Sequence, residues 1–229
     1  MPSTRSDRLF AAAGLLFPVL MITGFIAFPK TPGGDVSAAH DPVWLAAHSH
    51  AVIAQCYVRA FAAVAFIALS VAVAKAISAR GDAPVLSKLI VAGGTASAML
   101  TLLAQAVTLG AVLALRDGAT ADVMHGLDGL NDATLSLSSL PAVLMFAAAA
   151  VGFGRSQEFP RWLTIFSAAG VPLAVVDAAS YDGGPLASVG ILGLAYFLLW
   201  SLATAVHLTR HSGGATAQGR SVAATAAAS

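Results

Sequence analysis

The sequence predicts an all-α integral membrane protein, a bundle of six transmembrane helices with both termini cytoplasmic. Three observations support this fold class. Hydrophobic residues make up 58% of the 229 positions and charged residues only 10%, whereas soluble domains carry about 25% charged residues. Six apolar segments are each long enough to cross a bilayer. Most of the basic residues fall on one side of these segments.

The predicted spans follow directly from the apolar segments, at 9–28, 51–76, 86–115, 134–153, 162–180 and 186–208. Each span must be helical, because lipid offers no hydrogen-bond partner to an open backbone. The first segment exceeds the apolar core of a signal peptide, so we predict that it is retained as a span. The membrane domain is predicted to cover 1–211. The small, polar segment 212–229 is predicted to be a disordered cytoplasmic tail.

The distribution of charge predicts how the protein sits in the membrane, because cytoplasmic loops carry an excess of Lys and Arg. With a cytoplasmic N-terminus, nine of the twelve basic residues are inside: Arg5, Arg8, Lys75, Arg80, Lys88, Arg155, Arg161, Arg210 and Arg220. Only Lys30 and Arg116 are outside, while Arg59 lies within a span. The acidic residues are mostly at the outer side. Arg in excess over Lys in an Ala-rich chain favours a bacterium, and hence its inner or plasma membrane.

The second span carries a polar stripe of His48, Gln55 and Arg59, whose spacings of seven and four place them on one helix face. A charge within a span is costly and normally faces a partner inside the bundle. The stripe therefore predicts either a functional site or a structural role. In the structural role, Arg59 forms an ion pair or extends towards the outer surface.

The fourth span begins with a second polar stripe, on a helix predicted to start near Ala121, outside the membrane. The stripe consists of His125, Asp128, Asp132, Ser136 and Ser139. A histidine and two carboxylates on one face are suited to acid/base chemistry. The alternative is a solvated entry turn with carboxylates near a positive helix N-terminus. The spacing matches no tight metal-ligand motif, and we predict no metal and no cofactor.

The third, fifth and sixth spans add further candidate residues. Gln105 lies on a face of small and hydroxyl residues that favours helix packing, and it is the member best suited to contact a ligand. Asp177 is an intramembrane carboxylate, hence a functional candidate, with a structural pair to Arg59 as the alternative. Tyr181 follows it. Tyr196 and Trp200 are core or lipid-facing aromatic residues, or they line a ligand site.

If the polar stripes converge, they line an outward-opening cavity that suits a membrane-embedded enzyme with an apolar substrate. A protonated Asp177, or alternatively Asp128 or Asp132, would then start the cyclisation of a prenyl or terpenoid chain, with Arg59 tuning the acid. Tyr196 and Trp200 would shelter a carbocation. The other predicted substrate-binding residues are His48, Gln55, Gln105, His125 and Tyr181. The general plan is similar to that of small membrane-embedded terpene cyclases, an analogy of architecture only.

Two other classes of function use the same features. In a permease, exporter or immunity protein, the carboxylates would carry protons or bind a cationic solute. In a non-catalytic subunit, the stripes would serve packing and ion pairing. The predicted partners are the lipid bilayer and a hydrophobic small molecule. The sequence leaves open whether the protein forms a homo-oligomer. A net charge of +1 gives no indication of a nucleic-acid partner.

One local stretch carries a resemblance to a known group. Phe159-Pro160-Arg161-Trp162-Leu163 joins the fourth and fifth predicted spans. It resembles the corresponding loop of uncharacterised bacterial six-helix membrane proteins of the DUF4386 type. The resemblance implies a six-span architecture and no particular activity.

Overall fold

The computed structural model describes residues 5–28, 42–78, 84–156, 159–180 and 187–226. Within these ranges the regular structure is entirely helical: α1 (Arg5–Ile26), α2 (Pro42–Ser78), α3 (Pro84–Arg116), α4 (Ala121–Leu137), α5 (Ser139–Arg155), α6 (Arg161–Ala179) and α7 (Ala187–Ala226).

The described helices agree with a multi-pass membrane protein. Five helical stretches are long and apolar enough to cross a bilayer: Pro42–Ser78, Pro84–Arg116, Asp122–Arg155, Arg161–Ala179 and Leu192–Arg210. Ala12–Ile26 is a shorter apolar helix. Large hydrophobic side chains such as Phe61, Ile165 and Leu199 are exposed on the outside of the bundle, as lipid-facing residues are. The all-α fold class is confirmed, while the count of six spans and the cytoplasmic termini stay predictions.

Apart from α4 and α5, which follow one path, consecutive helices run antiparallel, and the contacts of two pairs show this. Gln55 of α2 donates a hydrogen bond to the carbonyl oxygen of Gly24, near the end of α1. At the other end of the pair, a Cβ on Gly14 would touch Leu69. The same reversal relates α6 to α7, where Ser167 contacts Trp200 and the later Asp177 lies beside the earlier Gly193. Because α1 packs on α7 as well as on α2, the helices close into a ring.

The fourth predicted span is divided into two helices. The helix does begin at Ala121, as predicted. It is interrupted at Ser138, after which α5 begins. Pro141 gives the physical reason, because it has no N–H to donate to the carbonyl four residues earlier and its ring crowds that turn. Ser138 keeps helical dihedral angles (φ −63°, ψ −21°), so α4 and α5 form one continuous path with a local break.

The basic residues gather at one end of the ring. Lys75 lies in the last turn of α2, Arg155 in the last turn of α5, and Arg161 begins α6. Arg116 lies at the opposite end, in the last turn of α3. The antiparallel order of the helices therefore brings the predicted inner charges together. Which end faces the cytoplasm stays a prediction from the positive-inside rule.

The last helix extends beyond the predicted membrane domain. Its backbone is helical to Ala226, through most of the segment for which composition predicts disorder. Alanine has the highest intrinsic helix propensity, which favours helix in this Ala-rich segment despite its glycines. The division of the chain into a domain at 1–211 and a separate tail stays a prediction.

Gly93 sets the distance between α3 and α5, and its replacement gives a test of the packing. A Cβ at this position would lie 2.6 Å from the carbonyl oxygen of Pro141 and 2.9 Å from the amide nitrogen of Met145. Both are backbone atoms, so the helices must separate. We expect Gly93→Ala to lower the free energy of unfolding by about 1–3 kcal/mol, measured by denaturant titration in mixed micelles. Gly110→Ala is the control, since a Cβ there meets nothing within 4 Å; equal loss in both variants would contradict this packing.

Candidate functional site

A cavity of about 350 Å³ lies in the middle of the helical ring. Its volume is within the usual range for small-molecule sites. All seven helices contribute to its wall, and Arg59, Gln105, Asp177 and Tyr196 are among the lining residues. Four of the residues predicted from separate helices therefore meet at one cavity.

Asp177 is the carboxylate of this cavity. It lies in the last turns of α6 and accepts a hydrogen bond at Oδ2 from the hydroxyl of Ser139, at the start of α5. Gly190 and Gly193 of α7 border the same carboxyl group, and a Cβ on Gly193 would lie 3.0 Å from Oδ1. The carboxyl group therefore contacts a hydroxyl donor on one side and the glycine face of α7 on the other.

Gly193 allows α7 to approach Asp177 closely. Replacing the glycine tests this close approach without changing the Asp177 side chain. An alanine there is expected to shift the carboxyl group by a few tenths of an ångström, because its Cβ would be 3.0–3.3 Å from three atoms of Asp177. We expect Gly193→Ala to reduce ligand turnover or binding by about tenfold, since small misplacements in a site have large effects. Gly129→Ala, where a Cβ meets nothing within 4 Å, is the control. Full activity of Gly193→Ala would contradict a role for this close approach.

Arg59 lies on the α1 side of the cavity. Its guanidinium carbon is 4.5 Å from the centroid of the Phe25 ring, which is a cation–π contact. Its Nε is buried and has no hydrogen-bond partner among the described residues. Arg59 and Asp177 line the same cavity, yet they form no ion pair with each other. The structural pair that the sequence leaves open is therefore absent from this part of the chain.

Aromatic rings contribute to the wall, from Phe17, Phe25, Phe66, Phe146, Tyr196 and Phe197. Phe197 has edge contacts with Phe17 and Phe146, at centroid distances of 5.5 and 5.8 Å. The hydroxyl of Tyr196 is buried without a hydrogen-bond partner among the described residues. The wall is thus both apolar and rich in π-electron density.

The predicted packing face of α3 is a polar part of the cavity wall. Gln105 is buried, with 6% of its surface exposed, and lines the cavity together with Ser97 and Thr101. The hydroxyl of Thr101 donates to the carbonyl oxygen of Ser97 in its own helix. That Gln105 is the member of this face that contacts a ligand stays a prediction.

The residues of the α2 polar stripe have different positions, and not all of them reach the cavity. His48 stacks on Trp44 at 4.6 Å between ring centroids, and its Nδ1 lies 2.9 Å from the Trp44 carbonyl oxygen. Gln55 holds α1 through its 2.7 Å bond to Gly24. Neither residue lines the cavity. Only Arg59 of this stripe reaches it.

The stripe of α4 leads from the surface to the cavity. His125 is exposed, Asp128 and Asp132 are half-buried, and Ser136 and Ser139 line the cavity. Asn131 donates to Asp132 at 3.5 Å and accepts from Thr108 of α3 at 3.1 Å. Asp132 is therefore linked through Asn131 to the α3–α4 contact, and both Asp128 and Asp132 lie outside the cavity lining.

Trp200 is a core residue next to the cavity. Its ring is 1% exposed, packs edge-on against Phe146 at 5.1 Å, and donates from Nε1 to the hydroxyl of Ser167 at 2.8 Å. It does not line the cavity. Tyr181, the remaining predicted substrate-binding residue, lies outside the described residues.

The sequence did not single out the phenylalanines or the two glycines beside Asp177. The phenylalanines are spread over four spans, among other apolar residues, so no pattern within one helix marks them. The Gly190 and Gly193 pair is a weak signal of close helix approach. Among the described residues, no group of three or more His, Cys, Asp or Glu is placed to hold a metal.

Comparisons with known proteins leave the family of this chain open. No protein-family model, no curated protein and no solved structure matches it. The resemblance of the 159–163 loop to proteins of the DUF4386 type therefore stays a prediction.

Proposed function

We propose that the protein is a membrane-embedded enzyme that isomerises an apolar, unsaturated substrate by acid/base chemistry, such as the cyclisation of a prenyl chain. One observation carries the proposal: a single carboxyl group, Asp177, borders a cavity whose mainly apolar wall includes aromatic rings from several helices. The substrate would enter from the bilayer of a bacterial cell membrane. A hydrophobic small molecule and the lipid bilayer are thus the proposed partners.

In the proposed first step, Asp177 is the general acid. Because Ser139 donates to Oδ2, the acidic proton resides on Oδ1. The π-electron pair of a substrate double bond forms a C–H bond with this proton, and the O–H electron pair remains on Asp177 as a carboxylate. A carbocation forms on the neighbouring substrate carbon. A desolvated carboxylic acid is suited to this role.

The proposed later steps close the proton balance on the same residue. A second double bond attacks the carbocation and forms the new C–C bond, which moves the positive charge along the chain. A carbon next to the final cation then loses a proton to the Asp177 carboxylate, and that C–H pair becomes a double bond. The product is an isomer of the substrate. Phe66, Phe146, Phe197 and Tyr196 stabilise the cationic intermediates through their π-faces.

The experiment uses the purified protein in nanodiscs with a panel of linear prenyl alcohols, acids and phosphates in D₂O. We expect an isomeric product that carries deuterium, because the exchanged Asp177 acid supplies the added hydron. Mass spectrometry reads both product formation and label. An unlabelled product, or no isomerisation of any panel member, would contradict protonation-initiated chemistry.

A second candidate function is transport of a small solute, and one observation favours it. The polar stripe of α4 runs from the exposed His125 past Asp132 to Ser136 at the cavity, next to the helix break at Ser138. Broken helices beside a central site are common in transporters. Solute flux into proteoliposomes that depends on a pH gradient, with no chemical change in the solute, would favour transport over isomerisation.

A further inference from the structure

In the cavity of the proposed enzyme, the guanidinium group of Arg59 forms no ion pair with any described residue. Arg59 and Asp177 are the Arg and Asp side chains in its lining, and Asp177 is hydrogen-bonded to Ser139 of α5. The side chain of Arg59 lies against α1, next to Gly24 and with the Phe25 ring under its guanidinium group. Its Nε has no hydrogen-bond partner among the described residues.

An arginine within a span normally finds an anion, because a buried guanidinium group is costly without one. The contact with Phe25 offsets part of this cost, but an aromatic ring cannot accept the directed N–H bonds of the guanidinium group. A carboxylate or a phosphate accepts two such bonds in parallel, which is the geometry that arginine recognises best.

We propose that Arg59 binds the acidic head group, a carboxylate or a phosphate, of a ligand whose apolar chain fills the rest of the cavity. Apart from Arg59, Asp177, the hydroxyl groups of Ser180 and Tyr196, and the hydroxyl and amide groups of α3 to α5, the lining is apolar. It therefore suits a chain without further charge. This inference rests on the proposed function and names its substrate class: an unsaturated lipophilic acid or phosphate. Arg59 fixes the head, and the chain then passes Asp177.

The test measures binding of three probes with the same chain, namely dodecanoate, dodecyl phosphate and dodecanol, to the full-length protein in phosphatidylcholine nanodiscs. We expect the two acids to bind about 10- to 100-fold more tightly than the alcohol, the range expected for charge-assisted hydrogen bonds. Arg59→Gln should abolish this preference. Arg59→Lys, which keeps the charge and loses the planar fork, should retain a smaller part of it.

Arg116→Gln is the matched control, because Arg116 is an exposed residue at the end of α3 and does not line the cavity. It should leave the preference unchanged. Equal binding of acid and alcohol by the native protein would overturn the proposal. So would a preference that survives Arg59→Gln. Should Arg59→Gln not fold, the Arg59→Lys variant decides, since an unaltered preference there contradicts bidentate recognition.

A second arm distinguishes a membrane lipid from a free acid as the source of the anion. Nanodiscs containing phosphatidylglycerol should displace dodecanoate in an Arg59-dependent manner if the occupant is an anionic lipid, and should not if it is a free lipophilic acid. Both results retain the recognition of an acidic head.

This inference and the proposed function can fail separately. Acid-selective binding without turnover would refute the proposed enzyme alone. Turnover without acid selectivity would refute this inference alone.

Discussion

Asp177→Asn is expected to lower the isomerisation rate by about 10²- to 10⁴-fold, the contribution typical of a positioned acid or base. An asparagine side chain has nearly the same shape and keeps an oxygen that can accept the Ser139 hydrogen bond. It cannot donate a proton to an alkene. The loss should therefore fall on kcat, with little change in binding of the substrate or in stability.

Two further variants define what this result means. Asp122→Asn changes an exposed carboxylate in the first turn of α4 and should have full activity. Asp132→Asn tests the alternative acid on the α4 stripe, which lies outside the cavity lining. If Asp132→Asn abolished turnover while Asp177→Asn did not, the acid would be assigned to Asp132.

Trp200→Ala is expected to lower the free energy of unfolding by about 3–5 kcal/mol, the usual loss for a large aromatic residue in a core. The side chain is 1% exposed, and its replacement leaves a void against Phe146 and removes the hydrogen bond to Ser167. Denaturant titration in mixed micelles measures the change. Trp162→Ala is the matched control, because that ring is 53% exposed, and it should have a small effect.

Trp200→Phe separates a structural role from contact with the substrate. Phenylalanine keeps most of the apolar surface and leaves Ser167 bonded to the carbonyl oxygen of Leu163. We expect a loss of about 1 kcal/mol, as for one hydrogen bond, and unchanged turnover at temperatures where the variant is folded. A stable Trp200→Phe protein without activity would instead favour the direct contact with a carbocation that the sequence suggests.

The site could be predicted only in part, and particular residues show why. Asp177 and Arg59 are conspicuous because a charge within a span is costly wherever it lies, so single residues carry the signal. Gln105 and Tyr196 also line the cavity. His48, Gln55 and Trp200 are polar or aromatic for local reasons: a stack on Trp44, a bond to Gly24 and a bond to Ser167. Sequence periodicity assigns a helix face but not the neighbour that the face meets.

The sequence by itself determined the helical, membrane-spanning character of the protein and the segregation of its basic residues. Lipid permits few backbone structures, so apolar length alone predicts helices. Only the tertiary structure decided which residues meet: that the helices close into a ring, that the aromatic rings of separate spans share one cavity, and that Asp177 bonds to Ser139 rather than to Arg59. Those pairings depend on how each helix is rotated and on close approaches at residues such as Gly93 and Gly193. Both are set by packing between helices, which the sequence of one helix does not reveal.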